Sequence, residues 1–207
     1  MNLIVFGANG GIGRHVVAQG LTAGHTVTAV ARRPESVTSQ HPKLTVKRGD
    51  VLDAAGLAPL LAGQDAVVSA LGVHTRAPTV VYSQGVANIL RAMQAAGARR
   101  MLCISATGLD PGQWLQHYVA RPVLWTILRE MYTDLVRMED TVKASPLDWT
   151  IIRPPQLTDK PRTGHYQIAC NEHLPAAWSL SRADVADYIV RHLTDPGSYQ
   201  SRVEIAY

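Results

Sequence analysis

The residues with the clearest chemical meaning are three glycines near the amino terminus. Gly7, Gly10 and Gly13 stand at every third position where an apolar run gives way to a helical pattern. At such a junction the first glycine permits a sharp turn, the second lets the backbone approach a diphosphate, and the third brings the helix close to the strand. The partly positive N–H groups at the start of the helix can then bind the anion. An ordinary glycine-rich turn is the alternative, but the setting in a first strand–helix unit favours a dinucleotide site.

A pair of arginines bears on which dinucleotide would bind. Arg32 and Arg33 follow the second predicted strand, about 20 residues beyond the glycines, where an Asp or Glu would accept from the ribose of NADH. Two guanidinium groups attract a 2′-phosphate instead, so we predict NADPH, with two solvated arginines as the alternative. After the third strand, Asp50 either accepts from the adenine amino group, with Val51 beside it, or belongs to the turn before a helix headed by Asp53.

Alternating strands and helices must position these groups. Short apolar runs alternate with longer runs at helical spacing, which is typical of βαβ units around a parallel sheet. The sequence predicts an α/β fold: a single Rossmann-type domain over residues 1–207, with a doubly wound parallel sheet and helices on both faces. Predicted strands are 3–6, 26–31, 44–47, 65–71, 100–105, 148–152, 165–169 and 203–206, and predicted helices are 12–23, 54–62, 79–96, 122–144 and 182–193, the last capped by Ser181.

Composition argues against several other classes of protein. With 46% hydrophobic and 17% charged residues, the chain can bury one sizeable core, which excludes disorder. No apolar run approaches the roughly 20 residues that span a bilayer, and the start lacks a basic secretory signal, so we expect a cytoplasmic protein with no membrane partner.

The charged residues and the cysteines bear on possible partners. The net charge is +4, and the basic residues are dispersed along the chain and are mostly arginine. This fits a phosphorylated small molecule as a ligand, and we expect no nucleic acid. Cys103 and Cys170 are predicted to be buried strand residues, and no metal site is predicted.

Several short motifs occur in an order that indicates a family. After the glycine turn come Gly-Asp-Val at 49–51, Ala-Leu-Gly at 70–72, Ile-Ser-Ala at 104–106 and Trp-Thr-Ile-Ile-Arg-Pro at 149–154. Over nearly the whole chain this order resembles the atypical short-chain dehydrogenases of the NAD(P)H-binding, NmrA-like group. Within that group the chain is most similar to the flavin reductase and biliverdin-IXβ reductase family, through 62–67, 137–138, 154–155 and 164–166.

The resemblance implies a cofactor, NADP(H), and a role for each of a set of residues. It implies that the diphosphate is held by Gly7, Asn9, Gly10, Gly11 and Ile12, the 2′-phosphate by Arg32 and Arg33, the adenine by Asp50 and Val51, and the ribose by Ala70, Leu71 and Gly72. It also implies that Ser105 lies beside the nicotinamide and that Pro154 and Pro155 close over its carboxamide. From the residues alone, Ser105 either orients the ligand or is a turn residue at a strand end.

A missing pair of residues bears on the type of acceptor. Ketone-reducing and sugar-epimerising relatives use a tyrosine four residues before a lysine to move a proton at the carbinol oxygen, and this chain has no tyrosine with a lysine at that spacing. A flavin or quinone spreads the incoming charge and takes its proton from water, so orientation can supply most of the catalysis.

The residue after the paired prolines bears on linear tetrapyrroles as acceptors. Biliverdin-reducing relatives carry a histidine at this position, where this chain has Gln156, which favours flavins over linear tetrapyrroles. Ser105 and Gln156 are therefore predicted to orient the reactants without transferring protons.

Residues 106–130 and 154–180 are predicted to form the substrate side of the site. Trp114 and Tyr118 follow the fifth strand and either form an aromatic wall for a planar ring or pack as a flap. His74 either reaches a phosphate or acidic substrate or is an exposed loop residue. We therefore predict an NADPH-dependent reductase of FMN, FAD, a quinone or a similar planar acceptor, and an NADP-binding redox-sensing regulator without turnover is the alternative.

Overall fold

The computed structural model describes residues 1–73, 77–109, 121–175 and 178–207, with side chains for all of these except 121–127. They form one α/β domain, as the alternating sequence pattern predicts. The strands are β1 (Asn2–Phe6), β2 (Thr26–Ala31), β3 (Leu44–Arg48), β4 (Ala66–Ser69), β5 (Arg100–Ile104), β6 (Asp148–Arg153), β7 (Gln156–Thr158), β8 (Gln167–Cys170), β9 (Ser179–Ser181) and β10 (Ser201–Ala206). The helices are α1 (Gly13–Thr22), α2 (Ala54–Leu61), α3 (Ser83–Ala96), α4 (Arg121–Lys143) and α5 (Arg182–Arg191).

An eight-stranded sheet organises the domain, with the strand order β3-β2-β1-β4-β5-β6-β10-β8. The neighbours from β3 to β10 pair in parallel, while β8 runs antiparallel to β10 at one edge. The chain passes from β1 to β2 and β3 on one side, and then to β4, β5 and β6 on the other. This reversal is the doubly wound arrangement that the sequence predicts, and it opens a crevice at the carboxyl ends of β1 and β4.

Helices cover both faces of the sheet because successive strand side chains point to opposite faces. In β1, Ile4 and Phe6 join the core under α2, α3 and α4, whereas Leu3 and Val5 join the core under α1 and α5. All four of these side chains are fully buried. Strands that are buried on both faces contain nearly continuous apolar runs, which is why the central strands could be found from the sequence.

The predicted boundaries lie within two residues of the observed ones, except that α3 begins at Ser83 and not at residue 79. The buried carboxylate of Asp134 in α4 explains the later start. It accepts from the backbone N–H of Tyr82 at 2.9 Å and of Ser83 at 3.3 Å, so a side chain from another helix caps α3. The predicted cap of α5 is confirmed, since the Ser181 hydroxyl accepts from the backbone N–H of Asp184 at 2.9 Å.

The carboxy-terminal third differs most from the sequence prediction. The short strands β7 and β9 were not predicted, and they pair in parallel as a separate two-stranded sheet. The prediction that both cysteines are buried is wrong for Cys170, which is exposed because β8 lies at the edge of the main sheet, and right for Cys103. Within the part of the chain that the structure describes, no helix is long and apolar enough to cross a membrane.

Candidate functional site

The predicted site residues lie where four parallel strands end at one edge of the sheet. Gly7, Ala70, Ser105 and Pro154 are the residues that directly follow β1, β4, β5 and β6. Ligands of doubly wound sheets bind at this edge, in the crevice where the strand order reverses. The structure therefore brings the glycine turn together with the serine and the prolines that the sequence places near the cofactor.

The glycine turn is too tight for side chains at its first and third glycines. Gly7 has φ +77°, and a Cβ added there would lie 2.3 Å from the carbonyl oxygen of Ala70. A Cβ on Gly13 would lie 2.1 Å from the carbonyl oxygen of Gly7. The Gly10 N–H donates to that same oxygen at 2.9 Å and closes the turn. Both contacts are with backbone that cannot yield cheaply, so the turn needs glycine for packing as well as for its conformation.

The start of α1 is free of a side-chain cap. Ile12 occupies the N-cap position and has no side-chain acceptor, and it is buried in the core under α1. Asn9 is exposed at the tip of the turn. A helix start without a side-chain cap presents partial positive charge to an anion, and the glycines of the turn let that anion come close to the backbone. This geometry fits the diphosphate of a dinucleotide.

An arginine from α5 lies against this turn, which the sequence analysis did not anticipate. A Cβ on Gly11 would meet the Cδ and Nε atoms of Arg182 at 2.7 Å, so the glycine makes room for that side chain. Arg182 pairs with Asp159 at 2.9 Å, and Arg14 reaches the same carboxylate at 3.5 Å. Burial and then the nearby Arg14 charge lower the pKa of His15. Arg14 and Arg182 share the single carboxylate of Asp159, so within the described part of the chain these three side chains have a net charge of one positive beside the turn. No local pattern in the sequence signals an approach over this chain distance.

Arg32 and Arg33 lie just beyond β2 with both side chains exposed. The carbonyl oxygen of Arg33 accepts from the backbone N–H of Ser36 at 3.0 Å and from its hydroxyl at 2.6 Å. A short turn over Pro34–Ser36 thereby fixes the backbone of the pair and leaves the guanidinium groups in solvent. They are accessible to an anion at the carboxyl end of β2, as a 2′-phosphate requires.

The segments after β3 and β4 show which of the other predicted cofactor residues have structural roles. One Asp50 oxygen accepts from the backbone N–H of Leu52 at 3.0 Å, so this exposed side chain takes part in the turn before α2. Val51 is buried, and its carbonyl oxygen accepts from Asn88 at 2.8 Å. Of the segment that follows β4, Ala70 is buried beneath the glycine turn, Leu71 is half-buried, and Gly72 is exposed.

Ser105 belongs to a buried polar cluster that links β5, β6 and α4. Its hydroxyl donates to the Oε1 atom of Glu139 at 2.7 Å. Arg153 donates to the same oxygen through Nε at 2.7 Å and to Oε2 through Nη2 at 2.5 Å, and Lys143 lies 3.1 Å from Oε2. Glu139 and Arg153 are each 1% exposed. Burial acts to raise the pKa of Glu139, but the hydrogen bonds and charge of Arg153, with smaller effects of Ser105 and Lys143, together hold that pKa below the ordinary carboxyl range.

The paired prolines connect the ends of β5 and β6. The carbonyl oxygen of Pro154 accepts from the backbone N–H of Thr107 at 3.1 Å, and Pro154 is buried whereas Pro155 is half-buried. Gln156 begins β7 opposite Ser179, with its side chain exposed. The Gln156 side chain therefore lies in solvent beyond the prolines, on the small sheet of β7 and β9 and outside the buried polar cluster.

A family assignment follows from the chain as a whole. Residues 7–196 match the family model described as NAD(P)H-binding. The chain belongs to this NAD(P)H-binding family. Over 98% of its length it is 26% identical to an uncharacterised chloroplastic protein of Arabidopsis thaliana, of which the match covers 75%. The predicted membership of an NAD(P)H-binding family and the predicted class of cofactor are confirmed.

Solved structures share the fold of this NAD(P)H-binding chain at low identity. The oxidoreductase ylbE from Lactococcus lactis is 23% identical with a TM-score of 0.85, covering 100% of this chain and 90% of that one. A short-chain dehydrogenase/reductase from Veillonella parvula, in complex with NADP, is 18% identical with a TM-score of 0.83, covering 100% and 94%. ChuY, an anaerobillin reductase from Escherichia coli O157:H7, is 23% identical with a TM-score of 0.80, covering 100% and 97%. These likenesses confirm the Rossmann fold.

Three residues predicted for the substrate side of this NAD(P)H-binding protein lie outside the described residues. They are His74, Trp114 and Tyr118. Their placement therefore stays a prediction, as does the contribution of much of 106–130 to the site. The sequence analysis missed Glu139, although its position gives some indication of burial. It directly follows Met138, which belongs to the apolar face of α4 that packs in the core.

Proposed function

We propose that the chain is an NADPH-dependent reductase that passes hydride to a free flavin or to a related planar conjugated acceptor such as a quinone. The observation that supports this most is the bonding of Ser105, whose hydroxyl hydrogen at the end of β5 is held by Glu139. The sequence has no tyrosine–lysine pair at the four-residue spacing to act as the acid in its place. An acceptor bound at this edge must then spread its own negative charge and take its proton from water, as a conjugated ring does.

The cofactor fits the basic groups along the same edge. Bound NADPH supplies the hydride. The turn from Gly7 to Ile12, with Asn9, Gly10 and Gly11, holds the diphosphate through backbone N–H groups, and Arg32 and Arg33 hold the 2′-phosphate. The NADP complex of the Veillonella parvula protein, which shares the fold, supports this choice of nucleotide.

The remaining residues of the proposed site orient the two reactants. Pro154 and Pro155 close over the carboxamide, and Ser105 and Gln156 orient reactants without exchanging protons. The other assigned residues are Asp50 and Val51 at the adenine, Ala70, Leu71 and Gly72 at the ribose, and Trp114, Tyr118 and His74 at the acceptor.

The test is turnover with a panel of acceptors. Purified protein is mixed with NADPH and with FMN, FAD, a set of quinones or a linear tetrapyrrole, and oxidation is followed by the loss of absorbance at 340 nm. We include the tetrapyrrole because of the structural likeness to an anaerobillin reductase. Acceptor-dependent oxidation is expected with flavins or quinones. The control is Gly13→Ala, whose methyl group would lie 2.1 Å from the Gly7 carbonyl oxygen and should remove the activity together with cofactor binding.

Two results would contradict the reductase proposal. Tight binding of NADP⁺ without oxidation by any acceptor would favour a redox-sensing regulator that reads the dinucleotide. Oxidation that persists in the Gly13→Ala preparation would show that a contaminating enzyme causes it.

Arg182→Ala should weaken NADPH and NADH by a similar factor of roughly ten, because the diphosphate common to both is the group nearest the glycine turn and one charge-assisted hydrogen bond has about this value. Titration of each nucleotide by fluorescence measures the two affinities. The matched control is Arg191→Ala, which removes an arginine from the other end of α5, where it pairs with Asp187. Unchanged affinities in Arg182→Ala, or weakening of NADPH alone, would show that Arg182 does not contact the diphosphate.

A further inference from the structure

We propose that Glu139 is a positioning residue that fixes the polarity of Ser105, so that Ser105 offers its ligand only a hydrogen-bond acceptor and selects a ligand N–H group. The group it selects is the amide N–H of the nicotinamide carboxamide. The inference deepens the proposed function and rests on its placement of the nicotinamide beside Ser105. It concerns the direction of one hydrogen bond.

The first step is the number of hydrogens that Ser105 has to give. A serine hydroxyl has one hydrogen and two lone pairs, while an ionised carboxylate can only accept. At an Oγ to Oε1 distance of 2.7 Å the hydrogen must therefore lie between Ser105 and Glu139. The lone pairs of Ser105 are what remains for any other partner, so the hydroxyl cannot act as a donor or as an acid toward a ligand.

The second step is that Glu139 stays ionised. Among the residues that the structure describes, the charged groups that face it are Arg153 from β6 and Lys143 from its own helix, both positive. Cys103 from β5 is a further titratable neighbour, and burial raises the pKa of its thiol to about 12, so it stays neutral. Burial acts to raise the pKa of Glu139, but Arg153, Ser105 and Lys143 together lower it below the ordinary carboxyl range. Across the neutral range the carboxylate remains an obligate acceptor.

The third step is that the carboxylate cannot turn away from Ser105. Arg153 holds both of its oxygens, one through Nε and the other through Nη2, and both side chains are 1% exposed. Such a two-point contact fixes the plane of the carboxylate as well as its position. Oε1 is therefore held where the Ser105 hydroxyl reaches it.

The experiment compares two nucleotides that differ only in the group to be recognised. NADP⁺ has a carboxamide N–H, whereas 3-acetylpyridine adenine dinucleotide phosphate has a methyl group there and nothing to donate. Their dissociation constants are measured by calorimetry on the full chain. We expect wild type to prefer NADP⁺ by roughly five- to tenfold, the value of one hydrogen bond. Ser105→Ala should bring the ratio close to one, and Ser105→Thr, which keeps a hydroxyl, should keep it.

The role of Glu139 is isolated by Glu139→Gln. The amide offers donors as well as an acceptor, so Ser105 no longer has to donate toward residue 139 and the preference for NADP⁺ should shrink severalfold. In the Ser105→Ala background the same substitution should leave the ratio unchanged, because Glu139 acts through Ser105. The matched control is Asp134→Asn, which alters another buried carboxylate of α4 that bonds Tyr82 and Ser83. It should lower stability and leave the ratio at the wild-type value.

Each outcome bears on the proposal. Equal affinities in wild type, a preference that survives Ser105→Ala, or a wild-type ratio in Glu139→Gln would overturn it. If Glu139→Gln does not fold, Ser105→Ala against Ser105→Thr still decides whether the hydroxyl is an acceptor for the carboxamide. Because the ratio is a binding measurement, it separates this inference from the reductase proposal: a normal ratio without turnover overturns the reductase alone, and turnover with a ratio of one overturns the inference alone.

Discussion

Replacing Arg32 and Arg33 together by alanine should abolish most of the preference for NADPH over NADH. Each guanidinium is expected to make a charge-assisted hydrogen bond to the 2′-phosphate, about 1.5 kcal/mol or roughly tenfold in affinity per arginine at an exposed site. NADH has no phosphate at that position, so its affinity should change little. The structure leaves both side chains in solvent on a backbone fixed by the turn at Pro34–Ser36, which is the geometry that this effect requires.

The measurement is the ratio of the NADPH and NADH dissociation constants at fixed ionic strength, because an exposed contact between charges weakens with salt. Lys43→Ala is the control. It removes a cation just before the start of β3, at the opposite edge of the sheet, where the ammonium group donates to the carbonyl oxygen of Gly24. Equal weakening of both nucleotides in the double variant would mean that the arginines support the fold or the diphosphate, and the assignment of NADPH would lose its main support.

The fold could be predicted where the signal is local. Val5 and Phe6 lead directly into Gly7, so one short segment contains a buried strand, a turn and the start of a helix. The pairing of β7 with β9 could not be predicted in this way. Each has three residues, and Gln156 pairs with Ser179 although β8 lies between the two strands in the sequence. A contact of that kind depends on tertiary packing, which cannot be predicted from hydrophobic periodicity or from turn-forming residues.

The site residues also fall into those that a local sequence pattern predicts and those that only tertiary packing brings together. The glycine turn and the arginine pair are sequence-local, and the structure places both at the carboxyl edge of the sheet. Glu139, Arg153 and Ser105 come from three elements, and only the packing of α4 against β5 and β6 unites them. The position of Arg153 does indicate a partner. It stands at the end of the apolar run from Trp149 to Ile152, and a charge that is buried there needs an opposite charge or hydrogen bonds.

Breaking the buried ion pair between Glu139 and Arg153 should cause the largest loss of stability among the substitutions considered. Glu139→Leu removes the carboxylate that pairs with the Arg153 guanidinium, which is 1% exposed, and losing one partner of a buried ion pair costs about 3–5 kcal/mol of unfolding free energy. Replacing both partners with apolar residues, Glu139→Leu with Arg153→Met, removes the charge as well and should recover at least half of that loss. Chemical denaturation of the three proteins at pH 7 gives the free energies.

The pair should also make stability depend on pH in a known direction. The pKa of Glu139 is lowered in the folded protein, so the carboxylate contributes its full stabilisation above the ordinary carboxyl range, and the contribution is lost as the pH falls through the lowered value. The difference in unfolding free energy between wild type and the double variant should shift against wild type on acidification. Arg99→Met is the control, since it breaks the solvent-exposed pair with Asp148 and should change stability only slightly. If Glu139→Leu alone is as stable as the double variant, removing Glu139 does not make the buried Arg153 charge unfavourable. The ion pair is then not the source of stability that its burial indicates.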